Sequence, residues 1–230
     1  MKFVTMITLA ALVMMSSVRA DIKVVSAKGN IQVRRGVGEA WQKLAAGDVL
    51  KPEDSMKSGK NSSAIILVDG KKKITLPEMA IVDCSDFRNL TQEELLLMLA
   101  MESVRSVQVK ESDDMLNIPK TTSVHGENRD IVSTRVSGNS EDGLLQLNGT
   151  NVLYDQGFYA TCVLKVKEVL RIHPRLRTMV SYRLNAASAM EKMKLNGEAL
   201  SEYNLLKSER LTPEQRSLVD EKISTLKKKR

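Results

Sequence analysis

Aromatic residues make up only 3% of this sequence, and the chain has one tryptophan, two histidines and two cysteines. A core with so few aromatic residues must be built from aliphatic side chains. His125 and His173 have no cysteines or carboxylates around them at the spacing of a zinc site. No G-x-S-x-G nucleophile turn is present, and residues 36–38 lack the third glycine of a dinucleotide-binding loop. We therefore predict a protein that is not an enzyme and that uses no metal or cofactor.

The cysteines and the closely spaced aspartates have structural interpretations as well as functional ones. Cys84 follows a strand-like segment, whereas Cys162 lies in a helical pattern. An exported chain could join them by a disulfide, but their position in separate predicted modules favours two small buried residues. Asp83 and Asp86 could form a carboxylate pair, but they lack the spacing of a calcium loop. We interpret these two aspartates as turn residues.

Long apolar runs are absent except at the N-terminus, where residues 3–15 follow the positive charge of Lys2. This run is about a dozen residues long, whereas a membrane-spanning helix needs about 20. Small residues at Val18 and Ala20 fit the positions that a signal peptidase reads. We predict a signal peptide over residues 1–20, cleaved after Ala20, with an uncleaved anchor as the alternative. The mature protein is then expected to be periplasmic or otherwise exported, and not to span a membrane.

Charge is unevenly distributed along the chain. Residues 151–230 contain 16 lysines and arginines against 9 aspartates and glutamates, whereas residues 113–150 contain 3 against 6. A basic region would suggest nucleic acid in a cytosolic protein, but an exported protein meets other polyanions, such as phosphorylated glycans and acidic protein surfaces. A solvated helix face explains the same charges. We predict no nucleic-acid partner.

Residues 21–88 have the pattern of short strands separated by turns. Ile22 and Val24, and then Ile31 and Val33, alternate with polar residues, which places one face of each strand in a core. Asp69-Gly70 is a strong hairpin signal, because a tight turn needs the positive φ angles that these residues tolerate. We predict a small all-β domain here.

Three lysines, Lys71, Lys72 and Lys73, follow the predicted hairpin turn. They are candidates for salt-sensitive contacts with the anionic groups of a glycan or surface polymer. Lysines at a strand edge also discourage unwanted strand pairing, which is the structural interpretation of the same residues.

Turn and core positions across residues 22–84 follow a recognisable order. They are Trp41, Leu44, Gly47-Asp48, Leu50, Ser58-Gly59, Ser62, Ala64, Leu67, Asp69-Gly70, Ile74, Leu76 and Pro77. This segment resembles the FecR-type periplasmic domain, and the resemblance implies a bacterial envelope protein. Regulatory FecR proteins carry a cytoplasmic helix and a membrane span before the domain, neither of which is predicted here. A FecR-like signalling component is therefore an alternative function.

After this domain the period changes to that of a helix. Thr91 to Glu94 form a capping-box start, and a strongly apolar helix is predicted over about residues 91–106. We expect this helix to fold back against the β-domain, with a partner-binding helix as the alternative. The β-domain with its trailing helix is assigned to residues 21–111. The polar, weakly patterned residues 112–149 are interpreted as a linker.

The last part of the chain, residues 150–230, has helical periodicity with an internal repeat. Cys162 and Ala199 are small residues 37 positions apart, close to the roughly 34 of a tetratricopeptide repeat with a small insertion. Gly157 fits the turn between two helices, and Pro174 ends the unit. Thr212 and Pro213 open a last, capping helix. This region resembles tetratricopeptide repeats, and fewer than three repeats imply that the β-domain or a second copy completes its core.

The predicted fold class is therefore a multi-domain α+β protein: a small all-β FecR-like domain followed by an all-α tetratricopeptide-like domain. The resemblance to repeat proteins implies an exported scaffold that binds an envelope protein or peptide in a helical groove. Exposed arginines of that half, Arg175, Arg177 and Arg183, are the candidate contact residues. An anionic glycan bound by the β-domain is the alternative ligand.

Overall fold

A computed structural model describes residues 22–106 and 140–228. The predicted signal peptide and residues 112–139 of the predicted linker lie outside the described residues. The described residues have an α+β layout, with two small antiparallel sheets in the N-terminal half followed by six α-helices. This layout confirms the predicted fold class at the level of its secondary structure.

Eight short strands form the β half. They are β1 (Ile22–Lys28), β2 (Ile31–Arg34), β3 (Trp41–Lys43), β4 (Val49–Leu50), β5 (Ser55–Ser58), β6 (Ser63–Val68), β7 (Lys72–Leu76) and β8 (Ile81–Asp83). One sheet has the order β4-β1-β6-β7 and the other has the order β3-β2-β5-β8. Alternate residues of both sheets, such as Ile22 and Ile66 from the first and Val33 and Met56 from the second, share one buried apolar cluster. The sheets therefore pack face to face as a small sandwich.

The predicted hairpin is present between β6 and β7. Asp69 and Gly70 both have positive φ, 52° and 65°, as a tight turn of this kind requires. Ile66 pairs with Ile74 across the two strands, and both side chains are fully buried. The three consecutive lysines that follow the turn precede the buried Ile74 and are exposed.

The helices follow in chain order. They are α1 (Gln92–Ser106), α2 (Ser140–Asp155), α3 (Tyr159–Ile172), α4 (Val180–Lys192), α5 (Asn196–Lys207) and α6 (Pro213–Lys228). From α2 to α6 each helix packs against the next. Thr212 caps α6 as predicted, because its hydroxyl oxygen accepts from the Gln215 amide N–H at 3.3 Å while its own amide N–H donates to the Gln215 side chain at 3.1 Å.

Helix α1 begins with the predicted capping box. The Thr91 amide N–H donates to the Glu94 carboxylate at 2.8 Å, and the Glu94 amide N–H donates to the Thr91 hydroxyl at 3.2 Å. The expectation that α1 folds back against the β-domain is wrong. Leu95 is fully buried in the apolar cluster of the helical half, and α1 packs against α3. The Arg171 side chain of α3 also donates to Glu102 of α1, so both apolar and ionic contacts join α1 to the helices.

Helix α2 extends across the predicted boundary of the linker at residue 149. Residues 140–149 form its first part, so they are helix rather than linker. Their sequence contains two glycines, which disfavour helix in isolation. Here packing supplies the stabilisation, since α2 lies against β8 and against α3 and α4.

Gly149 allows α2 to approach the sheet directly. A Cβ atom at this position would lie 1.9 Å from the carbonyl oxygen of Ile81 and 3.0 Å from Cγ2 of Val82. No side chain fits there. The neighbouring Asn148 donates its side-chain N–H to the Met79 carbonyl at 2.7 Å and accepts from the Tyr182 hydroxyl at 2.5 Å. The glycine is therefore a contact residue between the two halves.

The sandwich core continues into the helices. Val152 and Leu153 of α2, with Phe158 and Cys162, belong to the same buried cluster as the strand residues. Cys84 also belongs to it, and both cysteines are free and buried. The prediction of two small buried cysteines is confirmed. The sequence-based reason for it was wrong, because the two residues lie in one shared cluster rather than in separate cores.

Candidate functional site

A groove of about 390 Å³ lies between α1, α3, α4 and α5. Its lining contains both apolar and charged side chains. The lining residues are Glu102, Ser103, Val166, Lys167, Leu170, Arg171, Arg177, Arg183, Ala186, Glu202, Leu205 and Glu209. Leu205 is 56% exposed, whereas Val166 is buried. An apolar floor surrounded by charged side chains can accept an extended or helical peptide segment with at least one apolar side chain.

Glu202 is the central carboxylate of the groove. It is buried and accepts from Lys167 at 2.9 Å and from Arg183 at 3.1 Å. Burial alone would raise the pKa of Glu202, but the charges and hydrogen bonds of these two cations outweigh it and hold the pKa below its ordinary value. Glu202 therefore stays ionised and fixes both cations in place.

Arg177 differs from the other cations of the groove. Its side chain is exposed, and among the described residues it makes one hydrogen bond, a long one of 3.4 Å from Nε to the Leu170 carbonyl. Within residues 22–106 and 140–228, no carboxylate lies within ion-pairing distance of it. By contrast, Arg183 also pairs with Glu209 at 2.7 Å, and Arg171 pairs with Glu102. Arg177 is the groove cation best placed to meet a carboxylate from outside the chain.

The structure separates the three predicted arginines. Arg177 and Arg183 line the groove. Arg175 is exposed on the same short 3₁₀ helix as Arg177 (Pro174–Thr178) but does not line the groove. Arg183 is held by internal ion pairs. Sequence reasoning missed Glu102 and Glu202, because carboxylates on a helix ordinarily read as solvated. The available signal was their spacing, because both glutamates follow buried or partly buried apolar residues of their helices at intervals of three or four.

The three predicted hairpin lysines differ in their contacts. Lys72 donates to the carbonyl of Gln156 and its Nζ lies 4.1 Å from the centre of the Phe158 ring, so it contacts the turn between α2 and α3. Lys71 and Lys73 are exposed. One of the three candidate residues therefore has an internal structural contact.

A second cluster of charges joins β8 to α3. The Lys165 ammonium lies 2.7 Å from Asp83, 2.8 Å from Glu168 and 3.8 Å from Asp86. The Ser55 hydroxyl donates to the other oxygen of Asp83 at 2.5 Å. The aspartates interpreted as turn residues therefore converge on one lysine that comes from a distant part of the sequence. This cluster is a polar contact between the two halves.

The pKa values of the two aspartates in this cluster are shifted in opposite directions. Burial raises the pKa of Asp86 to about 7, and the neighbouring Asp83 charge acts in the same direction although Lys165 opposes it. Oδ2 of Asp86 is buried without a hydrogen-bond partner. For Asp83, burial would also raise the pKa, but Lys165 and Ser55 outweigh it and hold the pKa below its ordinary value. Between the two pKa values, Asp86 is therefore mostly neutral while Asp83 is ionised.

The raised pKa of Asp86 predicts a loss of stability as pH rises. Asp86 has an ordinary pKa of 3.8 and a pKa of about 7 in the fold, so the folded chain binds more protons between these values. Its stabilising contribution is complete below the ordinary pKa and is lost by about pH 7. We expect the free energy of unfolding, measured by urea titration, to fall by about 2 kcal/mol between pH 5 and pH 8.

The Asp86→Asn variant should lack this fall and should be more stable than the parent chain at pH 8. The matched Asp83→Asn variant should be less stable than the parent at pH 8, because the pKa of Asp83 is lowered in the fold. A parent chain whose stability is constant or rises between pH 5 and pH 8 would contradict the assignment.

No group of three or more potential metal ligands occurs in the part of the chain that the structure describes. Within the same residues, every helix is too short or too polar to cross a membrane. Comparison of the chain with protein-family models, with curated proteins and with solved structures finds no significant match. The groove and its contacts are therefore the features from which a function can be inferred.

Proposed function

We propose that this chain is an exported, non-enzymatic interaction protein of a bacterial envelope that binds a peptide segment of a partner protein in the groove between α1, α3, α4 and α5. The observation that carries the proposal is the exposed Arg177 beside an apolar floor, in a groove whose other cations have internal carboxylate partners. The partner segment would place an apolar side chain on Leu205 and a carboxylate beside Arg177.

The resemblances found in the sequence support this proposal. A FecR-like sandwich implies an envelope location, and successive helix pairs resembling tetratricopeptide repeats imply peptide or protein binding. The internal ion pairs around Glu202 and Glu102 add a physical reason, because they pre-form the groove before a partner arrives. A pre-formed site loses less conformational entropy on binding.

Photo-cross-linking in the native envelope tests the proposal directly. A benzophenone amino acid replaces Leu205 in the groove, and in a matched chain it replaces Leu218, a leucine of α6 that is 41% exposed. We expect mass spectrometry to find one recurring acceptor peptide for the groove position and none in common with the α6 position. The same acceptor from both positions, or polysaccharide alone, would overturn the groove assignment.

A pair of neighbouring arginines provides the second control. Arg177→Glu should lower the cross-linking yield at position 205 by about tenfold, because it replaces a charge-assisted contact by repulsion. Arg175→Glu makes the same change of charge two residues away, outside the groove, and should leave the yield unchanged. Equal effects of the two variants would show that only general charge matters.

A further inference from the structure

Helix α1 has an apolar face on each side. Leu95 and the partly buried Leu99 face the other helices. On the opposite side, Leu97 is 64% exposed, Met101 is 49% exposed and Val104 is 73% exposed. Because residues three and four apart lie on one face of a helix, these three side chains form a continuous outward stripe.

This stripe is unusual for the described surface. Nine large apolar side chains are exposed there, and four of them, the three of the stripe and Leu96, lie on α1. The others are spread over β-strands, a turn and two other helices. Single exposed apolar residues need no explanation, whereas a contiguous apolar face marks an interaction surface.

The charges at the two ends of the stripe indicate what covers it. Glu93, Leu97, Met101 and Arg105 follow one another at intervals of four residues, so they form one row along the helix. Its order is acidic, apolar, apolar, basic. Glu93 is exposed, and the side chain of Arg105 is 61% exposed; among the described residues its ion pair is a loose one of 3.7 Å with Glu102.

Read in the opposite direction, the same row is basic, apolar, apolar and acidic. Two copies of the helix that run in opposite directions therefore have complementary rows. We propose that α1 pairs with α1 of a second copy of this chain, antiparallel and across a two-fold axis near the middle of the stripe. In that arrangement Leu97 faces Met101 of the second copy, and Glu93 faces its Arg105, twice by symmetry. A parallel pair would place like charges together. Antiparallel helices also align their dipoles favourably.

The expected dimer is weak. One helix face buries less than the roughly 800 Å² per partner of a standard interface, so association belongs in the micromolar range. Sedimentation velocity of the chain from residue 21 onward, from low to high micromolar concentration, should show a monomer–dimer equilibrium. Leu97→Asp should weaken the dimer at least about tenfold. Leu218→Asp, the matched change on α6, should leave it unchanged.

A charge exchange tests the antiparallel orientation. Glu93→Arg and Arg105→Glu should each weaken the dimer about tenfold, since each affects two symmetric pairs. The double variant should restore the parent affinity. The two positions are about 18 Å apart along one helix, so restoration requires the second chain. A monomer at every concentration, or a double variant no tighter than the weaker single variant, would overturn the proposal, with circular dichroism confirming that each variant is folded.

Discussion

Gly149→Ala is expected to lower the free energy of unfolding by about 3 kcal/mol. In an ordinary helix this change stabilises by up to about 1 kcal/mol, because alanine has the higher helix propensity. Here the new Cβ would lie 1.9 Å from the Ile81 carbonyl oxygen, and backbone cannot rotate away as a side chain does. Helix α2 must move off β8, and the burial of Val152 and Leu153 in the sandwich core decreases.

Urea titration followed by circular dichroism and by the fluorescence of Trp41, the only tryptophan, measures this loss in both halves. Gly197→Ala is the matched control, since Gly197 is an exposed glycine near the start of α5, and it should leave stability unchanged or slightly raised. A gain in stability for Gly149→Ala would mean that α2 does not need its close contact with β8.

Lys165→Met is expected to destabilise the fold by about 3–5 kcal/mol. The side chain of Lys165 is only 15% exposed and is the shared cation of Asp83, Asp86 and Glu168. Burial would lower its pKa, but these carboxylates outweigh it and hold the pKa of Lys165 above its ordinary value. Removing the cation leaves Asp83 as an uncompensated charge in a poorly solvated place, and the loss should shrink in acid as the carboxylates are protonated.

Two further variants define the cause of that loss. Lys207→Met removes a cation from an exposed pair with Asp220, in which the side chains are 54% and 48% exposed, and should change stability by less than about 1 kcal/mol. Adding Asp83→Asn and Asp86→Asn to Lys165→Met should recover part of the stability, because no buried charge then remains unpaired. If Lys165→Met matched Lys207→Met, the cluster would contribute no more than a surface pair.

The elements of the β half could be predicted from local sequence. Alternation at Ile31 and Val33 sets which face is buried, and Asp69-Gly70 sets the hairpin register. These signals are local because a strand repeats every two residues and a tight turn needs particular φ angles. Helix caps at Thr91 and Thr212 were predictable for the same reason.

Contacts between distant segments could not be predicted in this way. Gly149 suggested a weak helix and a linker boundary, because propensity describes the isolated helix and not the strand against which it packs. Asp83 and Asp86 resembled turn residues since their partner, Lys165, lies far away in sequence. Of the candidate site, sequence identified Arg177 and Arg183 through their charge, but the carboxylates that organise the groove became visible only once the helices were placed together.

The shared core gives the chain two native chemical reporters. Cys84 lies at the end of the sheet and Cys162 lies in a helix, in one apolar cluster. Burial raises the pKa of both thiols, that of Cys162 to about 12, and a protonated, enclosed thiol reacts slowly with alkylating reagents. Their alkylation rates therefore measure how often the sheets and helices separate in the intact protein, without the introduction of any foreign label.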